Sequence, residues 1–204
     1  MEYLLLILLS YLLGAVPTGL IVGKVTKGID LRTLGSGKTG AANTLRTLGP
    51  GAFAVVFLVD FVKAFAAVSL AGLLIGTSAA QVLAGLSALV GHNWSVYIGF
   101  SGGRGVAPGI GGLLAMSPGV SAIVTAATVS SILLSRYISL GAVVGGIVSL
   151  LGILGAVVLG LERPVYLLYI VPGALIVIYQ HRDNIERLMR GTERKLGDPI
   201  VPER

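Results

Sequence analysis

The sequence predicts an all-α fold, a polytopic bundle of about seven transmembrane helices forming one membrane domain over residues 1–204. Three observations carry this expectation. Only 12% of the residues are charged and 54% are apolar, whereas about a quarter of a soluble domain is charged. Long uncharged runs recur at 3–23, 65–101, 105–135, 137–161 and 165–180, and a helix crosses hydrocarbon with roughly 20 such residues. The basic residues between the runs fall almost wholly on one side of the predicted bundle.

The first predicted span, 3–23, lacks the basic start of a signal peptide and reads as a retained helix. It leads into a segment holding Lys24, Lys27, Arg32, Lys38 and Arg46. A second span covers 51–75, and a polar turn at Gly76-Thr77-Ser78 opens a third at 79–99. Pro118-Gly119 breaks the run from 105 to 135, leaving a short fourth span and a fifth that ends at Arg136. A sixth covers 137–160, Glu162-Arg163-Pro164 turns the chain, and a seventh covers 165–180. With the N-terminus outside and the C-terminus cytoplasmic, the outer loops hold only Arg163, as the positive-inside rule asks. Five spans would keep both ends in place, whereas six would strand the basic tail outside. Gly141-x-x-x-Gly145 is a helix-packing signal. The chain has no cysteine, which excludes thiolate chemistry and a disulfide framework. Its net charge of +6 is read through topology, because anionic lipid and nucleic acid would each give the same total; the apolar spans make membrane lipid the expected partner, with no nucleic acid.

Three polar segments share the inner face. Gly35-Ser36-Gly37-Lys38-Thr39-Gly40-Ala41-Ala42-Asn43 places backbone N–H groups, a hydroxyl and a cation together, with Arg46 following. Such a loop suits an anion, and flexible-loop glycine is the bland alternative. It is no Walker loop, because the upstream glycine is missing. The second segment is Gly91-His92-Asn93-Trp94 and then Phe100-Ser101-Gly102-Gly103-Arg104-Gly105-Val106-Ala107. Arg104 between apolar runs needs a partner, while His92 alone reads as a hydrogen-bonded interfacial residue. The third is His181-Arg182-Asp183-Asn184-Ile185-Glu186-Arg187-Leu188. Helical spacing puts His181 and Asn184 on the apolar face, facing either a polar ligand or neighbouring loops. Asp60 and Lys63 sit i,i+3 inside the second span and can pair with each other. No metal-ligand set appears. Together the segments suggest that phosphate groups bind at a membrane surface.

These segments resemble the bacterial acyl-phosphate-dependent glycerol-3-phosphate acyltransferases over nearly the whole chain. The family's Gly-Ser-Gly-Asn-x-Gly-Ala-Thr-Asn-x-x-Arg is matched by Gly35 to Arg46. Its Gly-His followed by Phe-Lys-Gly-Gly-Lys-Gly-Val-Ala is matched by Gly91-His92 and Phe100 to Ala107. Its His-Arg-x-Asn-Ile-x-Arg-Leu followed by Gly-x-Glu-x-Lys is matched by His181 to Leu188 and Gly191 to Lys195. Asp60 and Lys63 match a family pairing, with His92 beside them as support. The resemblance implies transfer of a fatty acyl group from acyl phosphate to the sn-1 hydroxyl of glycerol 3-phosphate, giving lysophosphatidic acid and phosphate for phospholipid synthesis. No cofactor is implied. By position, Ser36, Arg46, Arg104, His181 and Asn184 are the implied catalytic residues, binding the two phosphates. Gly35, Gly37, Lys38, Gly40, Asn43, Gly102, Gly103 and Gly105 line the phosphate sites. The resemblance further implies the bacterial cytoplasmic membrane and an upstream enzyme that forms acyl phosphate; the charge distribution alone places the active site on the cytoplasmic face, and the expected state is a monomer.

Acyl phosphate carries a good leaving group, so positioning and charge neutralisation can supply much of the catalysis. The base is either a substrate phosphate or His181. The chain departs from the family pattern at Lys38 (Asn), Ala42 (Thr), Ser101 (Lys) and Arg104 (Lys), and Lys38 restores the cation lost at Ser101. The departures keep a divergent, non-catalytic paralogue as an alternative. The His-x4-Asp pattern of other acyltransferases is absent, since Tyr97 and Glu186 stand where its Asp would. A phosphate transporter would show inverted repeats and midplane helix breaks, and neither is evident.

Overall fold

The computed structural model describes residues 1–198. Ten α-helices follow in order: α1 (Glu2–Ala15), α2 (Thr18–Lys27), α3 (Ala41–Leu48), α4 (Pro50–Leu74), α5 (Ser78–Asn93), α6 (Val106–Met116), α7 (Pro118–Ser135), α8 (Ile138–Val158), α9 (Leu167–Gln180) and α10 (Arg182–Met189). The all-helical membrane architecture therefore stands. The expected breaks also stand: Thr77 caps α5 by accepting from the Ala80 N–H, and Pro118 occupies the first turn of α7.

By length and composition alone, fewer helices qualify as spans than the seven expected. Four helical stretches are long and apolar enough to cross a membrane: Glu2–Lys27, Pro50–Leu74, Pro118–Ser135 and Ile138–Val158. The pair α9–α10, bent by 57°, makes a fifth. Helices α5 and α6 fall short at 16 and 11 residues. The chain between them leaves helical geometry at Trp94 and folds back on itself, with Ser95 bridging to Ser101. The first span is interrupted at Pro17, where the ring cannot continue a helix. The last does not run straight through its polar motif but turns at His181.

Small residues let the helices approach. Ala64, Ala67 and Ala71 of α4 pack on Ala80, Ala84 and Ala88 of α5. A Cβ on Gly91 would strike the Tyr11 carbonyl of α1, and one on Gly145 would strike the Thr128 hydroxyl of α7, so both crossings need glycine. Tyr169, Val68, Leu113 and Ile153 form the larger core cluster. Leucines such as Leu73, Leu134, Leu151 and Leu161 stay exposed, as lipid-facing positions should.

Polar contacts gather at the two ends. At one, Arg163 bonds Ser78 and Tyr166 bonds Gln81. At the other, Thr39 N–H donates to the Gly102 carbonyl and Leu196 N–H to the Arg136 carbonyl. Between them lies one buried polar cluster. The Asp60 carboxylate receives Lys63 Nζ at 2.8 Å and Thr18 Oγ1 at 2.9 Å, with His92 Nδ1 3.6 Å away. Lys63 also donates to the Val16 carbonyl at 3.1 Å, which the break at Pro17 leaves without a helical partner. Removing one member strands the others in an apolar interior. Lys63→Met should cost about 3–5 kcal/mol, read as a lower Tm in detergent, and Asp60→Asn/Lys63→Met together should cost less than the sum of the singles.

Candidate active site

The 35–38 loop is held from beneath by one side chain. Asn43, at the start of α3, donates from Nδ2 to the carbonyls of Leu31, Leu34 and Lys38 and accepts at Oδ1 from the Ser36 N–H. Both Nδ2 hydrogens are thereby engaged. Asn43 therefore positions the loop and has no donor left for a phosphate, while it still lines an apolar cavity beside the loop. Gly35 makes the turn at φ +61°, and a Cβ there would strike Asn43 Oδ1, so the loop closes only over glycine.

The second loop is fixed by His92. Gly103 N–H donates to the His92 carbonyl at 3.1 Å, and a Cβ on Gly103 would overlap the His92 ring. His92 and the Asp60–Lys63 pair thus lie under the loop as its support, and Arg104 projects from its end. Gly40 packs against Gly103, joining the two loops.

The third wall is the bent C-terminal segment. Glu193 is buried at 7% exposure and accepts from Ser139 Oγ at 2.8 Å, Asn184 Nδ2 at 2.7 Å and Arg187 Nε at 2.8 Å. Arg46 Nη2 approaches it to 4.0 Å. Because a carboxylate only accepts, the bond to Nδ2 settles the orientation of the Asn184 amide. Its Oδ1 is left as an acceptor, which suits a hydroxyl and not a phosphate oxygen. His181 sits 2.8 Å through Nδ1 from the Val177 carbonyl, so in the neutral ring Nδ1 carries the proton and Nε2 is the acceptor.

Two cavities meet here. A polar one of about 410 Å³ is lined by Arg32, Ser36, Arg46, Arg104, Arg187 and Arg194 among others. An apolar groove of about 380 Å³ runs past Phe53, Phe57, Ile110, Val129 and Ile132. Ser36 and Arg104 line both, while Lys38 and His181 line the groove alone. The groove's Thr125 and Val129 are exposed on the lipid-facing side. Ser36 Oγ, Arg104 Nε and Asn184 Oδ1 are buried without a hydrogen-bond partner among the described residues, and such atoms await one.

The cations crowd. Burial, then the charges of Arg46 and Arg187, push the Arg104 guanidinium down to about 10. Burial likewise lowers Arg46. Lys38 is lowered by burial and then by Arg104 and Arg182. Burial pushes the Glu193 carboxyl up, but the bonds from Asn184, Arg187 and Ser139 hold it below its usual range. One buried carboxylate among so many cations leaves a net positive field suited to an anion. Glu193, Arg187, Ser139, Arg32 and Arg194 were not among the sequence-derived site residues. The Gly191–Lys195 match was the one signal that pointed at Glu193.

Comparison with known proteins gives the chain its relatives. Residues 4–191 match the family model described as glycerol-3-phosphate acyltransferase. Glycerol-3-phosphate acyltransferase 3 of Dehalococcoides mccartyi is 41% identical, covering 97% of both chains. Glycerol-3-phosphate acyltransferase 2 of Moorella thermoacetica is 44% identical, over 96% of this chain and 98% of its own. Crystal structures of PlsY (YgiH), an integral membrane glycerol 3-phosphate acyltransferase, superpose closely. The glycerol 3-phosphate form gives a TM-score of 0.88 at 35% identity, over 97% of this chain and 96% of that one. The lysophosphatidic acid form gives 0.85 at 34%, over 96% and 95%.

Two outcomes test the roles of the holding residues. Asn43→Ala should raise amide exchange at Ser36–Lys38 about tenfold or more while leaving the long helices protected. Because the folded Glu193 carboxyl titrates low, its stabilisation is present above the unfolded carboxylate range and is lost as pH falls through the folded value. Glu193→Gln should therefore flatten the acid-side drop in Tm.

Proposed function

The chain belongs to the glycerol-3-phosphate acyltransferase family, and from that premise we propose how its two connected cavities divide the reaction. It is an acyltransferase acting on glycerol 3-phosphate. We infer acyl phosphate as the donor and the sn-1 hydroxyl as the acceptor. The observation that carries this is the meeting of a cationic cavity and an apolar groove at Ser36 and Arg104.

Glycerol 3-phosphate occupies the polar cavity, with its phosphate on Arg46, Arg187 and the N–H groups of the glycine loop. The acyl chain lies in the groove, which places the donor's phosphate by Arg104, Ser36 and Lys38. The hydroxyl oxygen attacks the acyl carbon, the bond to the phosphate oxygen breaks, and lysophosphatidic acid and phosphate leave. Arg104 touches both cavities and neutralises charge as it gathers on the departing phosphate. The hydroxyl proton passes either to that phosphate or to His181 Nε2, which the Val177 contact keeps as an acceptor. Asn184 holds Glu193, and Glu193 holds Arg187 and Arg46 at their posts.

The membrane arrangement is proposed on the same footing. Seven segments pass between the two polar ends, with the N-terminus outside and the site at the cytoplasmic face of a bacterial membrane. An upstream enzyme supplies acyl phosphate there, and one chain suffices. With no native cysteine, single cysteines at Thr77 and Arg190 should label from opposite sides of sealed vesicles, and labelling from one side would refute the orientation.

Phosphate release from palmitoyl phosphate should depend on glycerol 3-phosphate. Arg46→Ala and Arg104→Ala should each lower kcat/KM by about 10²–10³-fold, with Arg104→Lys milder. Release that ignores glycerol 3-phosphate would sink the assignment. For the proton, His181→Gln should cost about 10²-fold or more if the imidazole is the base, and far less if phosphate is. Lys38→Asn should weaken the apparent affinity for acyl phosphate more than that for glycerol 3-phosphate.

A further inference from the structure

Beneath the groove lies a second apolar space that the reaction as described leaves unused. It measures about 50 Å³ and sits among α5, α6, α7, α8 and α9, lined by Leu113, Gly145, Tyr169, Ile170, Gly173 and Val177 among others. Gly105, Val106, Ile110, Thr128 and Ala142 line both this cavity and the groove, so the two are continuous. Two of its polar tips are spoken for, since Tyr169 OH donates to the Gly109 carbonyl and Ser149 Oγ to the Gly146 carbonyl. Thr128 Oγ1, where the cavity meets the groove, is buried without a hydrogen-bond partner among the described residues; the rest of the lining is mostly aliphatic, and such a cavity accepts apolar guests.

Gly173 shows that packing alone does not demand the space. It is buried within α9, where alanine is the better helix former. A Cβ there would meet only Leu89 Cδ2, at the ordinary contact distance of 3.5 Å. A methyl group would therefore fit and fill part of the void, which ordinarily stabilises. Gly173 precedes His181 by eight residues, about 12 Å along the helix axis, so the cavity lies well below the reacting groups.

We propose that this cavity receives the methyl end of the acyl chain and limits the chain length the protein accepts. The inference rests on the acyl-transfer reading above. A chain anchored by its phosphate at Arg104 runs down the groove past Ile110 and Thr128, and the floor at Tyr169 and Ser149 stops it. The alternative exit, sideways into lipid past Thr125 and Val129, would impose no such limit.

The test uses the full chain in detergent with decanoyl, lauroyl, palmitoyl and stearoyl phosphates, measuring glycerol 3-phosphate-dependent phosphate release. Gly173→Ala and Gly173→Leu should keep turnover of decanoyl phosphate. They should lose about tenfold or more in kcat/KM for the longest donors, Leu more than Ala, with a Tm for Gly173→Ala at or above that of the parent. Gly155→Ala, in the same bundle but away from the cavity, should change neither. An unchanged chain-length profile in a folded Gly173→Leu protein overturns the inference and leaves the acyltransferase standing. A Gly173→Ala protein that fails to fold also overturns it, because the position would then not face open space. An absence of turnover by the parent with every donor would instead remove the acyl-transfer reading, and this inference with it.

Discussion

Asp60 sits ten residues into α4, where hydrocarbon surrounds the bundle, and its carboxylate is the point from which the polar end is built. Lys63 and Thr18 bind it and His92 lies beside it, so three helices meet at one oxygen-rich centre. Thr18 opens α2 just after the break at Pro17, and Lys63 takes the carbonyl which that break frees. His92 carries the order outward, because its carbonyl and ring fix Gly103 and so aim Arg104. An ionised cluster at this depth is costly unless every member is paired. Here the pairing doubles as a scaffold.

Above that scaffold the work divides between residues that hold and residues that bind. Asn43 and Glu193 direct their hydrogen bonds to protein groups. Arg104 and Ser36 do the opposite and keep buried polar atoms unpartnered. The arginines repel one another, and among the described residues Glu193 is the buried carboxylate that offsets this. On the proposed reading, an incoming phosphate relieves that repulsion. Such preorganisation lets a site without a side-chain nucleophile still lower a barrier.

Much of this was legible in the sequence, and the failures have physical causes. The spans α7 and α8 emerge because uncharged runs must be helical in lipid, and α4 because its one acid and one base are spaced to pair with each other. The turns at Thr77 and Pro118 emerge because cap and proline chemistry is local. The third span was carried past the end of α5 at Asn93, since the mostly apolar residues of 94–99 do not say where the backbone leaves the helix for a loop. The loop-holding part played by Asn43 was not legible, because an amide beside glycines can serve ligand or backbone equally, and only the fold supplies its partners. Glu193 stayed hidden because one acid among the several acids and bases of a charged tail does not show which is buried. Its meaning depends on Ser139, 54 residues away.

The groove opens toward the lipid at Thr125 and Val129. One reactant therefore arrives by diffusion in two dimensions while the other comes from water. The quantity that governs saturation by the donor is then its mole fraction among the surrounding amphiphiles, not its bulk molarity. Adding inert detergent or lipid at fixed total donor would slow the reaction by surface dilution alone. The product, carrying the same tail, is released into the leaflet it will help to build.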